Sequence, residues 1–352
     1  MIASRARRIA VRAQSTRRHA RASSTDNPLP HPTMQSRIAF FGTCQLVHLA
    51  NLLSRLPGWA DMYTTDRILR VDTLTQDQYR HFLVNCETAD ILCVQPVQAE
   101  HFYEARTECV LDYARRHGKR VIIVPYVYFS GYAPHIVYAH TNMGEYHCAA
   151  SVSCLVAGLD IPSAQRTVAD FLRRPQEFFL RNAADSLEEM QRRERKLGEL
   201  HDDLVPVSAW FAGHFQQTLL MHTHNHPSPA LFHYLLRELA GRLGLAAGSA
   251  PLPDGFLHDD DHFPIHRGVQ AALHLAPELH SPLFRDGKRT YTLEDTVSRC
   301  LSRLPGDRAS LLMILSRRLH DVGAVFQALF GRPLPLRSRA EVRAEKCKQT
   351  TN

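Results

Sequence analysis

Arg37-Ile38-Ala39-Phe40-Phe41-Gly42-Thr43-Cys44-Gln45 is the stretch that decides how this chain folds. Arg37–Phe41 is a short apolar run closed by Gly42, which reads as a β-strand covered on both faces. From Cys44 to Leu56 apolar residues recur at helical spacing (Leu46, Leu49, Leu52, Leu53, Leu56) until Pro57-Gly58 stops them. Gly42 suits a turn tight enough to lift the following residues off the strand end. Cys44 then falls at a helix start, beside unpaired backbone N–H groups and the positive end of the helix dipole. Both favour thiolate over thiol, so the position predicts a lowered pKa and a nucleophilic sulfur. A buried cysteine that merely packs the helix start is the plainer alternative.

Working outward, Arg67–Val71, Asp90–Val94 and Lys119–Val124 read as further strands, and His101–His117 as a helix closed by Gly118. Strand–helix alternation of this kind predicts an α/β fold, a parallel sheet with crossover helices and a flavodoxin- or SGNH-like core. After about residue 160 the pattern turns mostly helical, with Ser163–Leu172, Glu177–Leu200, Pro229–Leu243 and Asp307–Phe330 as helices and Gly248–Pro264 as a Gly/Pro/Asp-rich loop. The expected organisation is one domain over residues 34–330, its α/β part at 34–160 and its helical part at 161–330, flanked by disordered basic segments at 1–33 and 331–352.

At 352 residues, 44% hydrophobic and 22% charged, the chain has the composition of a globular protein with a sizeable core. No apolar run approaches the ~18–20 residues of a membrane helix. The net charge of +7 sits at the ends. Seven arginines precede Met34, six basic residues follow Phe330, and the body between is mildly acidic. A folded body of that charge gives no reason to expect nucleic-acid binding. Residues 1–33 resemble a mitochondrial transit peptide in composition, but Met34 immediately before the first strand favours an upstream extension. Eight cysteines without paired spacing and without CxxC suggest a reducing, cytoplasmic setting and no disulfide framework.

Three further segments carry candidate chemistry. In His222-Thr223-His224-Asn225-His226-Pro227-Ser228-Pro229, Ser228 before Pro229 reads as an N-cap with Pro at the first helical position. His226 then lies just before a helix and suits a general base, with Asn225 either orienting an imidazole or holding the turn. Alternate histidines could instead share a metal on one face of an extended segment, or form a plain polar loop. Tyr126-Val127-Tyr128-Phe129-Ser130-Gly131-Tyr132 follows a strand, and its aromatics and glycine suit a flat ligand or, equally, a cap on the sheet edge. Gln95-Pro96 ends a neighbouring strand and could offer an amide to the same crevice. His258-Asp259-Asp260-Asp261-His262, with His266, has a metal-like composition in the setting of a solvated turn, and no metal is expected. Neither a phosphate loop nor GxSxG occurs.

Together Gly42-x-Cys44-Gln45, Gln95-Pro96, Tyr128-Phe129-x-Gly131-Tyr132 and Asn225-His226-Pro227 resemble the WcbI family of polysaccharide-biosynthesis acetyltransferases, over roughly residues 37–275. The resemblance implies a coenzyme-A-dependent O-acetyltransferase that takes acetyl-CoA as co-substrate and a saccharide hydroxyl as acceptor. It implies Cys44 as nucleophile, His226 as its base and Asn225 as a third member, with Gln45, Gln95, Tyr128, Phe129, Gly131 and Tyr132 lining the acyl or coenzyme site. The chain departs from the family pattern at Thr43, where Asn is usual, and at Ala133-Pro134-His135, where the family continues His-Pro-Asp. An SGNH-like thioesterase or esterase with a cysteine nucleophile, and a non-catalytic nucleotide- or sugar-binding protein, are the alternative readings.

Overall fold

The first strand, β1 (Ser36–Gly42), alternates its side chains between two apolar layers. Ile38 and Phe40 point into one cluster and Ala39 and Phe41 into the other, all of them buried. A strand wanted by both layers belongs inside a sheet, and β1 lies between β2 (Tyr63–Arg70) and β3 (Ile91–Val94). With β4 (Arg120–Ile123) the order is β2–β1–β3–β4, and every pairing is parallel. A further segment extends the edge: Ile123 donates to Asp203 O and Val205 donates to Ile123 O, each at 2.9 Å. In this computed structural model the described residues are 35–335 except 143, 248–260 and 288, and those from Gln35 on fall in one compact unit.

Helix α1 (Cys44–Leu53) covers one face with Leu46, Leu49 and Leu53, which are fully buried. Each such leucine contributes about 1.5–3 kcal/mol relative to exposure. Helix α2 (Thr107–Arg116) covers the other face through Val110, Tyr113 and Ala114. The chain goes from β1 to β2 on one side and then to β3 on the other. The carboxyl ends of β1 and β3 therefore flank the switch point of the sheet, where crevices open in α/β proteins. Cys44 follows β1 there and Gln95 follows β3.

The later part is mostly helical, with additions and corrections. Two antiparallel ladders, β5 (Ile136–Thr141) with β6 (Gly144–Cys148) and β7 (Phe284–Asp286) with β8 (Arg289–Tyr291), accompany the helices. Helices α3 (Ala149–Val156), α4 (Ile161–Arg173), α5 (Glu177–Leu200), α6 (Ser208–His214), α7 (Pro229–Arg242), α8 (Arg267–Leu273) and α9 (Leu293–Arg303) follow. The helix expected over Asp307–Phe330 is two, α10 (Arg308–Arg317) and α11 (Leu319–Phe330), broken at Arg318 with φ −124° and ψ 27°. The helix expected from His101 begins only at Thr107, because Tyr103 at φ 44° kinks the 3₁₀ segment Glu100–Ala105 and Arg106 at ψ 139° breaks the chain from it. Gly118 closes it at φ +62° as expected.

Candidate active site at the carboxyl edge of the sheet

The site is held by one side chain. Gln45, fully buried, uses every hydrogen-bonding position of its amide. Its Nε2 donates to Val127 O at 2.8 Å and to Asn225 O at 2.7 Å. Its Oε1 accepts from Val127 N at 3.1 Å and from Gln95 Nε2 at 3.3 Å. Gln95 Oε1 in turn accepts from Thr43 N at 2.7 Å and Thr43 Oγ1 at 2.8 Å. Thr43 caps α1 through Gln45 N at 3.3 Å. The start of α1, the end of β3, the loop after β4 and the 222–228 segment are thus tied together. The segments that carry the four motifs therefore meet through the two glutamine amides, whose polar atoms are already engaged within the protein.

Gly42 is required by this closeness. A Cβ there would lie 2.7 Å from Gln95 Oε1 and 2.9 Å from Leu46 Cβ. Gly131 is under the same constraint, since a Cβ would fall 2.3 Å from Phe129 Cζ and 2.9 Å from Ala183 Cβ.

Cys44 opens α1 and is half-buried. Its thiol pKa is raised, contrary to the expectation from its helix position. Burial is the largest influence and raises it. The positive charge of Arg70 and the backbone N–H groups of Gln45 and Cys44 lower it, and Asp72 raises it again. The helix start acts as expected, but desolvation outweighs it. Arg70 reaches the site because the β1–β2 register sets it opposite Gly42. Its guanidinium grips Asp72 through two bonds of 2.6 Å. Arg70 and Asp72 are functional neighbours that the sequence reading missed.

In the 222–228 segment, Asn225 Oδ1 accepts from Thr223 Oγ1 at 3.1 Å and from Tyr146 OH at 3.3 Å. His226 N donates to Thr223 Oγ1 at 3.2 Å. Asn225 thus holds the turn, the second of the two roles open to it. Ser228 sits at the N-cap of α7 without capping it, and its hydroxyl donates to Leu219 O at 2.5 Å instead. His226 is buried on the strand-like entry to α7, bridged at Met221 and Pro227. Gln45, next to Cys44, is tied to the carbonyl of Asn225, next to His226.

The aromatic loop sorts by alternation. Val127 and Phe129 point into the core, while Tyr126, Tyr128 and Ser130 are partly exposed. Phe129 packs among Tyr132, Phe211 and Phe215. Tyr132 is buried and donates to Phe215 O at 2.6 Å. Phe129, Gly131 and Tyr132 therefore build the core behind the site, and Tyr128 alone of the four expected contacts faces open space. Tyr126, which belongs to the aromatic segment but not to the four expected contacts, is near enough to Cys44 for the sulfur's charge to act on it. Burial pushes its hydroxyl pKa up strongly, a bond with Asn225 opposes this, and the charge of Cys44 adds to the rise.

Tyr126, Tyr128 and Ser130 open on a cleft of about 1530 Å³, walled opposite by α5, the α10–α11 junction and α11. Tyr128 OH lies 3.2 Å from His224 Nδ1 and accepts from Arg318 at 3.4 Å. The break between α10 and α11 thus turns Arg318 toward this cleft. A smaller hollow of about 230 Å³ lies between β6 and α9, lined by Tyr146, Cys148, Arg299 and Cys300.

Among the described residues the histidines do not converge on a metal site. His224 is committed to Tyr128 and, through Nε2, to Ala133 O at 3.0 Å. His222 meets His262 with 3.1 Å between their Nδ1 atoms. Among the described residues no group of three metal-ligating side chains converges. His258, Asp259 and Asp260 lie outside the described residues. Asp261 Oδ1 accepts from Gly287 N at 2.9 Å, and the His266 ring lies tilted against that of His135, centroids 5.0 Å apart.

The model of the family described as polysaccharide biosynthesis enzyme WcbI matches residues 37–248, more than half of the chain. A solved structure described as WcbI, a polysaccharide biosynthesis enzyme, superposes with a TM-score of 0.65 at 16% identity, covering 84% of this chain and all of its own. That structure is described as the native protein without a disulfide bond between coenzyme A and one of its cysteines. Its likeness supports the fold. No curated protein matches the chain.

Proposed function

As the chain belongs to the WcbI family of polysaccharide biosynthesis enzymes, we propose that it transfers an acetyl group from acetyl-CoA to a saccharide hydroxyl, with Cys44 as acyl acceptor. The observation that carries this reading is the Gln45 knot, which fixes a cysteine at a helix start beside the histidine-bearing segment at the sheet's switch point. The neighbour's description names coenzyme A together with one of its cysteines, and Cys44 is here a half-buried cysteine at the sheet's switch point.

The raised pKa of Cys44 sets a requirement on the chemistry. The sulfur rests as a thiol, so a base must take its proton as the sulfur attacks. His226, on the segment that Gln45 ties to the start of α1, is assigned that role, and hydrogen bonds of this kind tighten in the substrate complex. The thiolate adds to the thioester carbonyl, and the backbone N–H groups at the start of α1 hold the oxyanion. Collapse breaks the bond to the coenzyme sulfur, which leaves as the thiol by taking the proton from the histidine. The neutral histidine then accepts the proton of the incoming sugar hydroxyl, whose oxygen displaces Cys44 from the acetyl group. Cys44 recovers a proton and the cycle closes.

The same raised pKa favours one second reading, direct attack of the sugar hydroxyl on the thioester with no acyl-cysteine. Transfer rates separate the two. In the first, Cys44→Ala lowers acetyl transfer to a saccharide acceptor by at least ~10³-fold. A Cys44→Ala protein with the full rate overturns the assignment.

A further inference from the structure

The cleft beyond Tyr126 is large, polar and close to electrically balanced. Its volume of about 1530 Å³ exceeds the ~300–1,000 Å³ of a usual small-molecule pocket. Four arginines line it, Arg181, Arg193, Arg317 and Arg318. Three of them already hold carboxylates: Arg181 with Glu177 at 2.9 Å, Arg193 with Glu189 at 2.6 Å and Arg318 with Asp321 at 3.1 Å. A polyphosphate finds only one arginine, Arg317, without an ion pair among the described residues. Paired guanidinium and carboxylate groups instead set hydrogen-bond donors beside acceptors. A sugar hydroxyl needs both at once. Ser130 and Asn182, joined at 2.9 Å, add a further donor–acceptor pair. The rings of Tyr126, Tyr128, Tyr138 and Phe178 also line the cleft and offer faces on which the C–H side of a pyranose can lie.

We propose that this cleft is the acceptor site, and that it takes an uncharged glycan of several sugar units rather than a single sugar or a sugar nucleotide. The proposal rests on the acetyl-transfer reading for its direction. Tyr126 bonds to Asn225, which Gln45 ties to the start of α1, and it marks the end of the cleft where the hydroxyl to be acetylated arrives; the remaining units run along α5 toward α11. The acceptor's length, not its charge, gives the binding energy.

The test uses the full chain, with no acyl donor, on an array of neutral, acidic and phosphorylated glycans graded from one to several units. Retention of neutral glycans of several units, with monosaccharides passing through, is expected. Arg181 and Arg317 are exposed, so their replacement leaves the fold intact. Arg181→Ala and Arg317→Ala each weaken retention about tenfold, equal to ~1.4 kcal/mol, and leave the thermal shift produced by coenzyme A unchanged. No retained glycan, retention of phosphorylated glycans alone, or retention indifferent to both variants overturns the proposal. Loss of the coenzyme A shift in these variants also overturns it, since the cleft is then the nucleotide site. Cys44→Ala retains glycans like the parent protein, so a failure of the acetyl-transfer reading leaves this result standing.

Discussion

Two regions meet at Tyr126 and are built on opposite plans. Around Gln45 the polar side chains are buried or half-buried and engaged with one another, and backbone segments far apart in sequence are locked by four bonds to one amide. Across the cleft the polar groups are long, exposed side chains held by ion pairs that contribute little to stability. The first plan fixes a geometry and spends its polar groups on the protein itself. The second leaves polar groups able to exchange partners with a ligand. Positioning and recognition are thus separate here, and substitutions in the two regions should have different consequences.

The sharpest contrast comes from Gln45→Ala. It strands the amide and carbonyl of Val127 and the carbonyl of Asn225, so unfolding by denaturant should show a loss of about 3–5 kcal/mol. Arg317→Ala in the cleft should change stability by less than ~0.5 kcal/mol. Equal, small losses in both would break the distinction.

Acid comes next. Burial pushes His222, His224 and His266 down to about 4. The unfolded chain binds protons near 6.5, where the folded protein does not. Their contribution is therefore complete above about pH 6.5 and is lost as pH falls toward 4, by about 3 kcal/mol per histidine. Thermal melts between pH 7 and 4.5 should fall steeply, and a flat profile contradicts neutral buried rings.

Gly42→Ala forces a Cβ against Gln95 Oε1 and should cost about 1–3 kcal/mol while loosening the knot. The smallest effect is electrostatic. Arg70→Ala should shift the alkylation midpoint of Cys44 to higher pH by removing the charge that opposes burial. A shift to lower pH means that Arg70 does not oppose burial at the thiol.

The contrast also explains what could be read from the sequence. β1 and α1 were legible because strand and helix periods are local and Gly42 punctuates them. The placing of Cys44 and Gln95 at one crevice followed from strand order. The sign of the thiol pKa was not legible, because helix position is local and burial is not. Arg70 became a neighbour only through the β1–β2 register. Tyr126 was within reach: Val127 and Phe129 alternate with Tyr126, Tyr128 and Ser130, and period two sorts them into core and cleft. The break at Arg318 carries neither Gly nor Pro, so Asp307–Phe330 looks like one helix until its tertiary contacts are seen.

The central claim, that Cys44 carries the acetyl group, is tested most directly by weighing the intact protein after brief mixing with acetyl-CoA in the absence of any saccharide. The account predicts a mass gain of one acetyl group on the parent protein, absent from Cys44→Ala and discharged when the acceptor is added. An unmodified parent protein that still transfers acetyl groups at full rate would contradict it.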